Sequence, residues 1–183
     1  MAHLEPARPY EAPDTLVVSS PEQLRALGDE VRGRIVGLLR DHAASASELA
    51  ELLGMPKGTV AHHVKVLEKA GLIHVVATRR VRAVTERYYG RVARLFLLKS
   101  EDEAEAELVH RAGATSLRIA ADELVRAPEV AMNGLLRVRL DTVSVRRFNR
   151  RLDKLLEDVR AAETPDGTTW GVAAALYRLK ERE

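Results

Sequence analysis

Cysteine is absent from this chain. That excludes a disulfide framework, a cysteinyl metal site and a thiol nucleophile. Aromatic residues make up only 4%, so aliphatic side chains must build most of any core. No apolar run reaches the 18 residues that a membrane-spanning helix needs, so no membrane partner is expected. The first 20 residues hold acids and Pro6, Pro9 and Pro13 without an apolar segment, so no signal peptide is expected either. Catalytic signatures are missing as well. There is no Gly-x-Gly-x-x-Gly, Walker loop, His-Glu-x-x-His or Gly-x-Ser-x-Gly. The histidines, at 3, 42, 62, 63, 74 and 110, show no ligand spacing with acids. The expectation is a cytoplasmic protein that is not an enzyme and has neither cofactor nor metal.

What is present is a large apolar fraction, 46%, beside 31% charge in 183 residues, enough for one domain or two small ones. The formal net charge of +2 hides an asymmetry. From Lys57 to Lys99 ten basic residues face two acids, Glu68 and Glu86, a net of +8; from Ser100 onward the balance is −2. Such a concentrated basic stretch is the footprint of a phosphate-binding surface.

The stretch 45–72, SASELAELLGMPKGTVAHHVKVLEKAGL, reads as two short helices and a tight turn. Ser45 and Glu48 have the spacing of a capping box. Leu49, Leu52 and Leu53 form an apolar stripe, Gly54 suits a left-handed stop, and Pro56 suits the first position of the next helix. In that helix Val60, Val64 and Leu67 fall on one face. Lys57, Gly58, Thr59, Ala61, His62, His63, Lys65 and Lys69 take the rest, with no acid before Glu68. Small or hydrogen-bonding residues at a helix's leading end are what a major groove admits. His62 and His63 diverge by about 100° and do not converge on one ion, so one is groove-facing and one flanking. Leu72 to Val92 is rich in β-branched residues and tyrosine, as strands are, and carries Arg79, Arg80 and Arg82 where a hairpin tip would fall.

GMPKGTVAHHVKVLEKAGLI followed by TRRVRAVTERYYGRV resembles the DNA-binding core of the ArsR-type regulators, bacterial winged helix-turn-helix transcription factors. Upstream, PEQLRALGDEVRGRIVGLLRDH is similar to that family's leading helices, with its Leu-Gly-Asp-x-x-Arg-x-x-Ile pattern. The resemblance covers Pro21 to Lys99. It implies double-stranded DNA as partner, a homodimer paired through the helix after the wing, and repression by promoter occlusion. Three departures stand out. SASELAELLG lacks the cysteine pair of the family's metal-sensing branch, and the helix after the wing offers one histidine, His110. Ala61 and Pro56 replace serines that family members often carry.

The expected fold is mainly α with small β. A flexible arm, residues 1–19 with TLVVS as a short strand, precedes a winged helix-turn-helix over 20–99. Its second helix, from about Asp29 to Asp41, is expected to bury Val31, Ile35, Leu38 and Leu39. Region 100–183 serves dimerisation and holds any effector. Its acidic opening favours a helix of about 25 residues, with Leu108, Ala112, Ile119 and Leu124 inward and Ala112, Gly113 and Ala114 permitting close approach of a partner helix. Leu136, Val138 and Leu140 alternate with Arg137 and Arg139, as in a half-buried strand. Thr142 to Ala162 is an amphipathic helix with Val145, Phe148, Leu152, Leu155, Leu156 and Val159 on one stripe. Residues 168–179 are ambiguous between helix and strand, with strand preferred. That gives a strand-helix-strand unit. The unit either covers the dimer helix or forms a pocket of Arg137, Arg139, Phe148, Trp170 and Tyr177 for a small organic effector. Two alternatives in function stay open: a winged helix that binds proteins, and an enzyme using Arg137, Arg139, Asp141 and Asn149.

Overall fold

Local signals start the first helices. A computed structural model describes residues 9–40, 42–81, 84–99, 102–164 and 166–179. Helix α1, Pro21–Leu27, is capped by Ser20, whose Oγ accepts from the Gln23 N–H at 3.2 Å, with Pro21 opening the helix. Helix α2, Glu30–Leu38, follows after Gly28 and is capped by Asp29, whose Oδ1 accepts from the Arg32 N–H at 3.0 Å. Arg32 folds back over the end of α1. Its Nε donates to the Ala26 carbonyl at 2.6 Å and its Nη2 to that of Arg25 at 3.0 Å. The Gly-Asp-x-x-Arg pattern thus joins two helices, with Asp29 starting one and Arg32 satisfying the last carbonyls of the other.

Helix α3, Ala46–Leu53, has the expected capping box. The Glu48 N–H donates to Ser45 Oγ at 3.3 Å, and the Ser45 N–H donates to Glu48 Oε2 at 2.7 Å. Gly54 ends it at φ 64°, a conformation that disfavours any side chain. Helix α4, Lys57–Lys69, begins one residue later than expected, because Pro56 sits just outside it as the cap. Val60, Val64 and Leu67 are buried, together with Leu24, Ile35, Leu39, Leu49, Leu72 and Ile73. Leu38 and Leu52, expected inward, are 39% and 47% exposed. In each case the next residue along, Leu39 or Leu53, lies about 100° further round and takes the place against the core.

Strands β1, Thr15–Val18, and β2, Ala44–Ser45, flank α1 and α2 in the chain. After α4 the chain forms β3, Ile73–Val81, and β4, Val84–Arg91, an antiparallel hairpin with a bulge between Val75 and Ala77. β2 pairs with the other side of β4. A short strand not anticipated from the sequence, β5 at Leu95–Leu98, pairs in parallel with β1. The arm is anchored where it is described. Tyr10 donates its hydroxyl to the Leu39 carbonyl and accepts from the Arg91 N–H at 2.9 Å. Its ring lies over Gly90, where an added Cβ would fall 2.7 Å from the ring.

The chain divides into a unit ending at Ile119 and a unit starting at Ala120, within helix α5, Ala106–Arg126. A 3-10 turn at Glu103–Glu105 precedes α5. In the first unit Ala112 and Thr115 are buried, Leu108 packs on the core, and Thr115 donates its hydroxyl to the Gly28 carbonyl at 3.3 Å. A Cβ on Gly33 would meet Ile119 Cδ1 at 2.6 Å. The start of α5 is therefore covered by its own subunit, and Ala112 is spent there rather than left for a partner helix. Leu124, expected inward, is exposed.

In the second unit the expected helix forms as α6, Thr142–Ala161. The strands expected at its two sides do not form. Residues 135–141 and 168–179 have no regular structure, and Leu136 is 81% exposed. Apolar alternation is only half of what a strand needs. The other half is a neighbour to accept its backbone hydrogen bonds, and among the described residues neither segment is paired.

Ser45→Ala is expected to lower stability by about 1 kcal/mol through loss of the cap. Gly90→Ala is expected to cost about 1–3 kcal/mol by displacing the Tyr10 ring. Urea melts check both, and an unchanged midpoint for Gly90→Ala would contradict the docked ring.

Candidate nucleic-acid interface

Burial of one face of α4 decides what the other face presents. With Val60, Val64 and Leu67 inside, Lys57, Gly58, Thr59, His62, Lys65 and Lys69 are exposed and Ala61 is half-buried. The first turn of α4 contains no acid and receives no side-chain cap. Its Thr59 and Val60 N–H groups turn back to the Pro56 carbonyl at 3.0 and 3.2 Å. The amides of Lys57 and Gly58, ahead of them, carry the positive end of the helix dipole, where anionic oxygens bind well. An added Cβ on Gly58 would meet nothing within 4 Å. The glycine therefore keeps the helix end low without being forced by packing.

His63 departs from its exposed neighbour. Its ring stands 5.8 Å from that of His62 at 70°, and its Nδ1 lies 3.7 Å from Asp29 Oδ1. The imidazole fills the space between α4 and the start of α2, with its side chain 14% exposed. Of the two histidines, His62 has the open position.

The hairpin's register sorts its arginines. Arg80 stands opposite Thr85 and Thr78 opposite Arg87, so Arg80 and Arg87 share one face with two threonines. Arg79 lies on the other face, opposite Glu86, which also accepts from the Tyr88 hydroxyl at 2.9 Å. Arg82 lies outside the described residues. Arg87 was not among the sequence candidates. The signal that finds it is the pairing of 78 with 87, which depends on where the hairpin turns.

The residues considered for an effector pocket are not gathered into one hollow. Phe148 lines a groove along α6 with Arg147, Arg150, Arg151, Leu152, Lys154, Leu155 and Asp158. Arg137, Arg139, Trp170 and Tyr177 are exposed and do not line it. Asp141 caps α6. Its Oδ1 accepts from the Ser144 N–H at 2.6 Å, and that bond holds the carboxyl below its usual pKa. Asn149 lies on α6 and is exposed. Among the described residues no three histidines or acids stand together as metal ligands would.

Retention on immobilised heparin, a polyanion, is expected to fall more for Arg80→Ala than for Arg79→Ala, one charge being removed in each. Equal loss would mean that strand face does not organise the charge.

Residues 27–76 match a family described as a helix-turn-helix domain. The chain is similar to the HTH-type transcriptional repressor SmtB of Mycobacterium tuberculosis, with 35% identity over 68 residues. That match takes in 37% of this chain and 50% of the repressor, so the chain spans about half the length of the curated relative it matches. Among solved structures it is similar to a homodimeric winged helix-turn-helix DNA-binding domain from Mycobacterium bovis, at 19% identity and a TM-score of 0.33. The coverage there is 58% of this chain and 82% of that one. It is also similar to an ArsR-like transcriptional regulator from Rhodococcus sp. RHA1, at 21% identity and a TM-score of 0.33 over 78% of this chain and 91% of that one. Residues 27–76 thus match a helix-turn-helix domain, and the β3–β4 hairpin that follows α4 gives them the layout of a winged helix-turn-helix.

Proposed function

We propose that this chain is a dimeric transcriptional repressor that binds duplex DNA and blocks a promoter by occupying it. The observation that carries this reading is the start of α4, acid-free and uncapped, held outward by the burial of Val60, Val64 and Leu67. Lys57, Gly58, Thr59, Ala61, His62 and Lys65 then face base edges and the nearest phosphates. Arg79, Arg80 and Arg82, joined by Arg87, hold the flanking backbone or minor groove. His63 acts at the edge of this surface, from its place against Asp29. The likeness to a repressor over the helix-turn-helix supports the sign of regulation.

The dimer is proposed through α5. Its inward row is used within the first unit, but Ala114, Leu117, Ala121 and Leu124 form a second, exposed row at helical spacing, and Val125 beside it is 86% exposed. Twofold pairing along this row would set two copies of α4 about 34 Å apart, one turn of B-DNA. Among the described residues no helix is long and apolar enough to cross a membrane, which fits a cytoplasmic DNA-binding role.

Binding to duplex pools is expected to weaken steeply with salt. Arg80→Ala with Arg87→Ala should weaken all sequences alike and shallow the salt slope by about one unit per lost phosphate contact. His62→Ala should instead change which sequences are selected. Absence of binding at low salt, measured by anisotropy, would overturn the proposal.

A further inference from the structure

Five apolar side chains of α6 alternate at three and four residues, Val145, Phe148, Leu152, Leu155 and Val159, with Leu156 on the flank of the same stripe. Alternation of three and four is the a-and-d seam of a two-helix coil, and Leu156, in the adjoining e position, widens it on one side. None of these residues is buried, and Val145, Leu155 and Val159 are 39%, 50% and 44% exposed. A seam of this length open to water calls for a partner helix of the same length.

The charges of α6 say which helix and which way round. Its first half, through Leu152, holds Arg146, Arg147, Arg150 and Arg151 and no acid. Its second half, with the residues just after it, holds Asp153, Glu157, Asp158 and Glu163 against Lys154 and Arg160. This is the reverse of what the helix dipole favours, since cations are stabilised at the C-terminal end and anions at the N-terminal end. The Asp141 cap is the acid at the basic end of the helix. A second α6 running the other way brings the acidic half of one copy against the basic half of the other, and opposes the two dipoles.

We propose that α6 pairs with α6 of a second copy of this chain as an antiparallel two-helix coil about a twofold axis. The axis passes between Asp153 and Lys154. Leu152 then packs on Leu155 of the second copy, and Phe148 on Val159. Arg151 and Asp158 flank the seam on the same side, so each Arg151 meets the opposite Asp158, twice by symmetry. Asp158 already accepts from Lys154 at 2.7 Å within its own helix, and its second oxygen is left for this contact. The guanidinium groups of Arg147 and Arg151 lie over the Phe148 ring, 5.0 and 5.8 Å from its centroid. This contact does not rest on the DNA-binding reading and uses a different helix from the α5 pairing.

The lack of native cysteine makes the test direct. Full-length Arg151→Cys and Asp158→Cys chains are mixed and mildly oxidised, with Arg150→Cys, on the outward face, as the collision control. The mixed 151–158 cross-link is expected to exceed either self-cross-link by at least fivefold, and Leu152→Asp in both chains is expected to abolish it. Dominance of the 151–151 product would overturn the antiparallel arrangement. Cross-linking no better than the control would overturn the contact itself. Circular dichroism of each variant establishes that α6 is still folded. Duplex binding by the same chains is read separately. Loss of the cross-link with binding intact sinks this contact alone, whereas loss of binding by Arg80→Ala with Arg87→Ala leaves it untouched.

Discussion

The α4 part of the proposed DNA surface depends on the burial of three aliphatic side chains, Val60, Val64 and Leu67. They fix the rotation of α4 about its axis. Turning the helix by one residue would carry His62 toward the interior and an apolar side chain into water, at a cost of about 1.5–3 kcal/mol for each large aliphatic exposed. The direction of His62 and Lys65 is thus decided by residues that never meet a ligand. Leu24, Ile35, Leu39 and Leu49 complete the socket, so α1 to α3 act on the outer face through packing.

The wing works on a different principle. Its pairing, not its burial, sets which arginines act together. Antiparallel register places Arg80 and Arg87 on one face and turns Arg79 toward Glu86. Two adjacent arginines in sequence therefore have unequal electrostatic surroundings, one among threonines and one opposite an acid. Counting basic residues along the chain overlooks this, because the count carries no information about facing.

Legibility in the sequence followed the range of the interactions. The Ser45–Glu48 box, the left-handed Gly54 and the buried row of α4 are all settled within a few residues, and they stand where the pattern put them. The Asp29 cap was equally local, but Arg32 reaching back to the end of α1 was visible only as an unexplained pattern. Signals that need a distant partner carry no local mark. Leu136, Val138 and Leu140 alternate as strands do, yet no neighbouring strand takes their hydrogen bonds. Conversely, β5 is an apolar run, LFLL, with no alternation to mark it, and its strand form depends on pairing with β1, about 80 residues away. Tyr10 looked like part of a loose arm because its contacts, Leu39 and Arg91, lie far along the chain. Ala112 is the same case, since small size suits a partner helix and a subunit's own core alike.

The parallel pairing of β1 with β5 has a consequence for how this domain comes into being. The two strands lie at either end of the winged helix-turn-helix, so their union closes a loop around everything from residue 19 to residue 94. Closing so long a loop is entropically costly until the enclosed chain is already ordered, and contacts of such separation form late. On a ribosome β1 emerges first and waits, unpaired, while the helices and the hairpin are made. The strand pair is a clasp around the helices and hairpin, and Tyr10, bonded to Arg91 just before β5, belongs to the same closure.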